Sequence, residues 1–353
     1  MTDITAATEL RSFTLSELQD LCKAQGWPAF RAKQLFQWLQ QKGAWSFAEM
    51  SNIPQAMRDH LAENYLLAAP QILKKQCSAD GTTVKWLLEF ADGAKIETVL
   101  MLYERETARD RATVCVSSQS GCGMGCAFCA TGQYKEYRNL TAGEIIAQCL
   151  IADKEARERG FNQLTNIVFM GMGEPLLNMD NLKRCILLIN DEQGLNIGQR
   201  KMTVSTCGIV PRIYELADWD LQIGLAISLH SADAEMRKKL MPKASHYSLS
   251  ELLESVRYFR EHTGRRVTAE YALFKGVNAT PEAAHQLGAL LTGTDILVNI
   301  IPANYVEGSQ FLPCTAEEQR QFLAILATYN VAVQVRESRG TDIDAACGQL
   351  RRR

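Results

Sequence analysis

From about residue 112 onward, runs suited to strands alternate with runs suited to helices, and no other feature limits the fold so strongly. The strand-like runs are TVCVSSQ, NIVFMG, KMTVSTCG, IGLAISLH, RVTAEYALF, ILVNIIPA and VAVQVRE. The helix-like runs between them include TAGEIIAQCLIADKEARER, NLKRCILLIND, VPRIYELADW, SLSELLESVRYFREHTG, PEAAHQLGALLTG and AEEQRQFLAILATY. Such alternation predicts an α/β fold with a parallel sheet and right-handed crossovers. About six units of this kind make either an open sheet or an incomplete barrel. In both, ligands gather at the C-terminal ends of the strands.

Ahead of this region the chain reads differently. Residues 1–66 are helical in pattern: Thr14 is placed to cap a first helix that stops at Gly26, Pro28 opens a second that Gly43 closes, and Pro54 interrupts a third segment. In TTVKWLLEFADGAKIETVLMLY, two β-rich runs flank Asp92-Gly93, a hairpin signal, and the charged stretch ERETARDR follows as a loop. The expected division is a helical accessory domain over 1–66, a β extension and linker over 67–111, the α/β domain over 112–340 and a tail over 341–353. No apolar run is long enough to cross a bilayer, and MTDITAATELRSF lacks the basic start and apolar stretch of a signal peptide. A cytoplasmic protein with no membrane partner is therefore expected. A net charge of −2 gives no general nucleic-acid coat.

Eleven cysteines in a reducing compartment point to core thiols, metal ligands or redox chemistry rather than structural disulfides. Cys122, Cys126 and Cys129 form CxxxCxxC in SGCGMGCAFCATG, just after a strand-like run. Three packed core thiols are the plain alternative, but glycines rather than apolar residues surround them. Zinc usually takes four protein ligands, and no fourth Cys or His stands nearby in sequence. Thiolates are the usual ligands of a four-iron cube, and three of them leave one iron free for a substrate.

CxxxCxxC after the first strand of a six-unit βα pattern resembles the radical S-adenosylmethionine (SAM) enzymes. The resemblance implies an incomplete (β/α)6 barrel, a 4Fe–4S cluster on Cys122, Cys126 and Cys129, and SAM chelated to the fourth iron. Further residues fit it. GMGEPLLN follows the second strand, and its Gly173 and Glu174 resemble the family's contact with the methionine amino group. Ser205, then Ser228-Leu229-His230, then Asn304 end later strands, where a strand delivers groups to a ligand. Each taken alone also looks like an ordinary hydrogen-bonded loop group.

Two more thiols narrow the match. Cys115 alternates with apolar neighbours as a strand-core thiol would, and Cys347 lies in the tail segment SRGTDIDAACGQL. Together with their flanks they resemble the cysteine pair of the RlmN/Cfr group of RNA adenosine methyltransferases. The resemblance spans nearly the whole chain and is closer to the RlmN type. It implies that Cys347 takes a methyl group from one SAM. A radical from a second SAM then activates that methyl group, and it adds to carbon 2 of adenine. Glu97 is the implied proton acceptor, with Cys115 as a competing candidate. Cys115 then attacks Cys347, releasing product as a disulfide forms. The implied substrates are an adenosine in 23S rRNA and the adenosine beside the tRNA anticodon; the implied electron donor is of flavodoxin or ferredoxin type. Carbon-8 methylation, another radical SAM substrate and a structural zinc module are the competing readings.

Three features depart from the group's usual pattern: Lys135, Ala303, and the stretch MPKASHYS. Basic clusters at Arg237-Lys238-Lys239 with Lys243, at Arg265-Arg266 and at Arg351-Arg352-Arg353 are candidate RNA contacts; a solvated face is the alternative for each.

Overall fold

The computed structural model describes residues 8–104, 110–134, 136–337 and 339–351. Lys135, Arg352 and Arg353 lie outside these residues. At the N-terminal end, β1 (Thr8–Glu9) leads into α1 (Leu15–Ala24), α2 (Phe30–Gln40) and α3 (Gln55–Asn64), and β2 (Tyr65–Leu66) returns to pair in parallel with β1. Thr14 caps α1 as its sequence predicts. Its hydroxyl accepts from the Glu17 N–H and the Glu17 carboxylate accepts from the Thr14 N–H. Pro54 does not interrupt a helix but immediately precedes one.

A buried arginine locks this unit. The Arg11 guanidinium donates to Leu39 O and, at 2.6 Å, to Ala44 O, and it lies 4.8 Å from the Trp45 ring. Arg11→Met would leave both carbonyls without that donor in a dry site. We expect a loss of about 3 kcal/mol in chemical denaturation, from two buried hydrogen bonds at roughly 1–3 kcal/mol each.

The next strands are β3 (Gln71–Cys77), β4 (Thr83–Glu89) and β5 (Lys95–Tyr103). The turn at Asp92-Gly93 joins β4 to β5, with Phe90 N–H donating to Ala94 O at 2.9 Å. β3, which pairs antiparallel with β4, has no counterpart in the sequence reading. The α/β region supplies β6 (Arg111–Cys115), β7 (Asn166–Phe169), β8 (Met202–Thr206), β9 (Gly224–Ser228), β10 (Val267–Leu273), β11 (Leu297–Pro302) and β12 (Val333–Val335). The seven strand-like runs are thus all strands. Helices α4 (Ala142–Glu158), α5 (Met179–Asn190), α6 (Val210–Ala217), α7 (Ala234–Leu240), α8 (Leu249–Thr263), α9 (Pro281–Leu291) and α10 (Ala316–Ala327) cross between them.

Among the described residues one ten-stranded sheet runs in the order β12-β11-β10-β9-β8-β7-β6-β5-β4-β3. From β6 to β12 it is parallel; from β6 back to β3 it is antiparallel. The order is linear, so β12 never returns to β6 and the barrel stays incomplete. No helix among the described residues is long and apolar enough to cross a membrane.

Candidate active site

Because β6 to β12 are parallel, their C-terminal ends rise to one side. There the loops surround a cleft of about 1020 Å³ lined by Cys122, Cys126 and Cys129, by Gly173 and Glu174, and by Ser205, Ser228, His230, Asn304 and Cys347. The chain thus gathers at one place residues that are more than 220 positions apart, from Cys122 to Cys347.

The thiol trio sits on the loop after β6. Burial pushes all three thiols up, Cys122 to about 12 and Cys126 well above its ordinary value; neighbouring thiols of the trio push both further. Three such groups cannot ionise together without a cation between them. Three side chains oppose this effect: Arg237 lowers Cys126, Lys243 lowers Cys122, and a hydrogen bond with the Thr131 side chain lowers Cys129. A fourth thiol, Cys207, lies buried on the same cleft, so the sequence argument that no fourth ligand stands nearby does not hold in space. Among the described residues, no three Cys, His, Asp or Glu side chains converge as a single metal ion needs. Three thiols spread around one wall, backed by two cations, fit a wider anionic cluster.

Glu174 is 3% exposed. Its carboxylate accepts from Leu176 N–H at 3.1 Å and Cys207 N–H at 2.8 Å and has no ion pair among the described residues. Burial pushes its carboxyl up, against the pull of those N–H groups. A dry carboxylate on a cleft wall without a cation suits an ammonium ligand. Gly173 has φ +105°, and a Cβ there would stand 2.6 Å from Gln119 Cβ. Its glycine requirement comes both from that positive φ and from packing on Gln119, with its backbone still on the cleft.

Ser228 and His230 reach the cleft, whereas Leu229 does not: it is fully buried in the core and its N–H donates to Glu270 O at 3.0 Å. Leu229 follows the last residue of β9, and its side chain turns into the core, which corrects its expected place on the ligand wall. His230 Nδ1 accepts from Ala272 N–H at 2.9 Å, so Nε2 carries the proton. Burial, with Arg237 adding to it, lowers the imidazole to about 3 and keeps it neutral. Phe128 meets its ring edge-on at 4.8 Å.

A second cavity adjoins the first, and Cys347 lines both. Cys115, at the end of β6, lines the second. Its thiol is pushed up to about 12 by burial, with Cys347 as the next cause. The structure therefore brings the two cysteines to one place, both as free thiols. Glu97 is not on either cavity wall. It lies buried behind the tail, 3.0 Å from Lys85 Nζ, and accepts from Arg351 N–H.

Arg336 was not foreseen from sequence. It follows β12, lines both cavities and lies 3.8 Å from the Glu270 carboxylate. Cys347 is the largest influence raising its guanidinium, and Cys115 acts in the same direction. The basic clusters fare differently from expectation. Arg237 is 2% exposed and donates to Cys207 O at 2.7 Å and Ala244 O at 3.1 Å, so it braces the site and is no RNA contact. Lys243 donates to Gly123 O in the thiol loop. Arg351 pairs with Glu307 at 2.7 Å. Lys238 and Lys239 are exposed, and Arg265 and Arg266 line a separate surface hollow.

Comparison with known proteins decides the family. The Radical SAM superfamily matches residues 116–287, and the ribosomal RNA large subunit methyltransferase N-terminal domain matches residues 8–67. A Clostridium perfringens protein named "Probable dual-specificity RNA methyltransferase RlmN" is 47% identical over 340 residues, 96% of this chain and 95% of that protein. The chain belongs to the RlmN family. A second RlmN relative, from Desulfitobacterium hafniense, is 47% identical over 345 residues, 98% of this chain and 96% of its own length. The crystal structure of a radical SAM methyltransferase from Sphaerobacter thermophilus superposes with a TM-score of 0.93 at 42% identity, covering 98% of this chain and all of that one. As a radical SAM member of the RlmN family, the chain uses a 4Fe–4S cluster and SAM.

Proposed function

We propose that this chain methylates carbon 2 of an adenosine in 23S rRNA and of the adenosine beside the tRNA anticodon, in the cytoplasm, with reducing equivalents from a flavodoxin- or ferredoxin-type donor. The carrying observation is that Cys347 lines both cavities, one shared with the thiol trio and the other with Cys115. A shuttle of one carbon between two compartments needs a sulfur at that junction.

Cys122, Cys126 and Cys129 would hold the cluster; Glu174 would take the SAM ammonium, with Gly173, Ser205, Ser228, His230 and Asn304 around the rest. The bound cofactors supply a methyl group and a hydrogen-abstracting radical. Cys347 Sγ accepts the methyl group by displacement. After loss of a hydrogen atom, the carbon on Cys347 joins the adenine ring, linking protein and RNA; the unpaired electron left on the ring would pass to the bound cluster as the ring proton departs. A radical is required because carbon 2 is electron-poor and bears no acidic proton. Glu97, its carboxyl pushed up by burial, is the proposed proton acceptor, with Cys115 as the competing candidate. One Glu97 oxygen is covered by Arg351 N–H, so the tail must shift for it to act. Cys115 Sγ then attacks Cys347 Sγ; the carbon–sulfur bond breaks, the product carbon takes up a proton to complete the methyl group, and a disulfide forms, which an external reductant reopens.

The deciding experiment is an anaerobic assay of the iron-loaded protein with rRNA and tRNA fragments and methyl-labelled SAM, read by nucleoside mass spectrometry. Labelled 2-methyladenosine in both RNAs is the expected result. 8-Methyladenosine would move the chemistry to the other ring carbon, and unmodified RNA would overturn the reading. Glu174→Gln keeps the shape and removes the charge. Equilibrium dialysis should show SAM affinity about 10- to 100-fold weaker, since a hydrogen bond to a charged group contributes about 1.5–3 kcal/mol.

A further inference from the structure

Lys85 on β4 and Glu97 on β5 form an ion pair of 3.0 Å whose side chains are 6% and 1% exposed. Glu97 stands opposite Leu87 in the ladder, so Lys85 is its diagonal neighbour on the same face. A buried pair of this kind rarely adds stability over apolar residues, because desolvation offsets the attraction. The surroundings sharpen the question: Leu87 and Val99, on the same face of the sheet, are buried and apolar.

The tail gives the pair a task. Lys85 Nζ donates to Asp344 O at 3.1 Å, and Arg351 N–H donates to Glu97. Asp344 precedes Cys347 by three positions and Arg351 follows it by four. One ion pair thus grips both ends of the turn that carries Cys347. Elsewhere on this turn the Arg351 side chain pairs with Glu307 at 2.7 Å, and neutral groups make further bonds: Ala130 N–H to Gly348 O at 2.8 Å, Thr131 Oγ1 to Leu350 O at 2.9 Å, Asn304 Nδ2 to Cys347 O at 3.4 Å and Gln349 Nε2 to Tyr305 O at 3.1 Å. They set the turn against the thiol loop, while the charged contacts close its two ends.

We propose that the Lys85–Glu97 pair is the dock of the Cys347 turn, and that Lys85 is a positioning residue for methyl transfer to Cys347. The positioning role rests on Cys347 being the carrier; the dock itself does not.

The test uses the full-length, iron-loaded protein. Hydrogen exchange is followed at the tail amides 344–351 and at those of β4 to β6. Single-turnover S-methylation of Cys347 with methyl-labelled SAM, without RNA, is followed by peptide mass spectrometry. Lys85→Met strands a buried carboxylate, so Lys85→Met/Glu97→Gln is made beside it to remove the uncompensated charge, and Lys85→Arg to restore it. In both Met variants, tail exchange should speed up about tenfold while the strand amides and iron content stay at wild-type levels. Cys347 methylation should fall by about tenfold, and Lys85→Arg should recover most of it. Unchanged tail exchange, or equal acceleration of tail and strands in both Met variants, would overturn the dock. Normal Cys347 methylation with a freed tail would overturn the positioning role. A wild-type protein that never methylates Cys347 refutes the carrier reading instead, and the exchange measurements still decide the dock.

Discussion

Cys115→Ala is expected to halt the reaction with the RNA still attached to Cys347. The variant keeps the thiol trio and Cys347, so each step up to the protein–RNA adduct should proceed. Without Cys115, the other cysteine on this cavity wall, Cys129, would be held by the cluster and so not free to attack Cys347. Denaturing gels should show a labelled RNA–protein band that thiol reductants do not dissolve, and released methylated RNA should fall by roughly 10³-fold or more, the scale of losing a nucleophile. Free product at the wild-type rate would refute the mechanism. The wild-type pH profile carries the same signature. The Cys115 thiol is pushed up to about 12 by burial, so its reactive thiolate is scarce at neutral pH. The thiolate fraction rises about tenfold per pH unit below that value, so release of the adduct should quicken by about tenfold per unit, roughly a hundredfold between pH 7 and 9. A flat profile would show that Cys115 does not attack from this environment.

Cys126→Ser should remove the cluster altogether. Cys126 is the middle member of the trio, and both other thiols act on it by charge. A serine hydroxyl is a poor iron ligand beside two thiolates. Anaerobic purification should give about four irons per wild-type chain and close to none in the variant. Both Cys347 methylation and RNA methylation should drop beyond detection, roughly 10³-fold or more. Circular dichroism should be unchanged, since the loop contributes no regular strand or α-helix. Zinc in place of iron in the wild-type protein would overturn the cluster assignment.

What could be read from the residues, and what could not, follows the range of the forces involved. The central parallel strands were legible because buried strands are rich in apolar residues, and the edge strand β12 because its valines alternate along VAVQV. β3 was not, because QILKKQC is an exposed edge: Ile72 is 50% exposed and nothing in its composition separates it from a loop. The CxxxCxxC trio is local and showed itself through spacing alone. SLH reads as one block at a strand end, but Leu229 lies past the last residue of β9 and its side chain joins the core, which the local pattern does not encode. Arg237, Lys238 and Lys239 read together as a candidate RNA contact, yet a helix turns each residue by about 100° and Arg237 points inward. Arg336 and the contact of Lys85 with Asp344 depend on meetings across more than 200 positions, which no single-sequence pattern encodes.

The continuous ladder from β3 to β6 has a practical consequence for anyone cutting this molecule into pieces. A fragment beginning at β6 would lose the antiparallel partner of that strand and bare a row of unsatisfied amides and carbonyls on an apolar stretch. Such a margin recruits other chains. The radical SAM portion excised there should precipitate, and an excision that keeps β3, β4 and β5 attached should remain monodisperse.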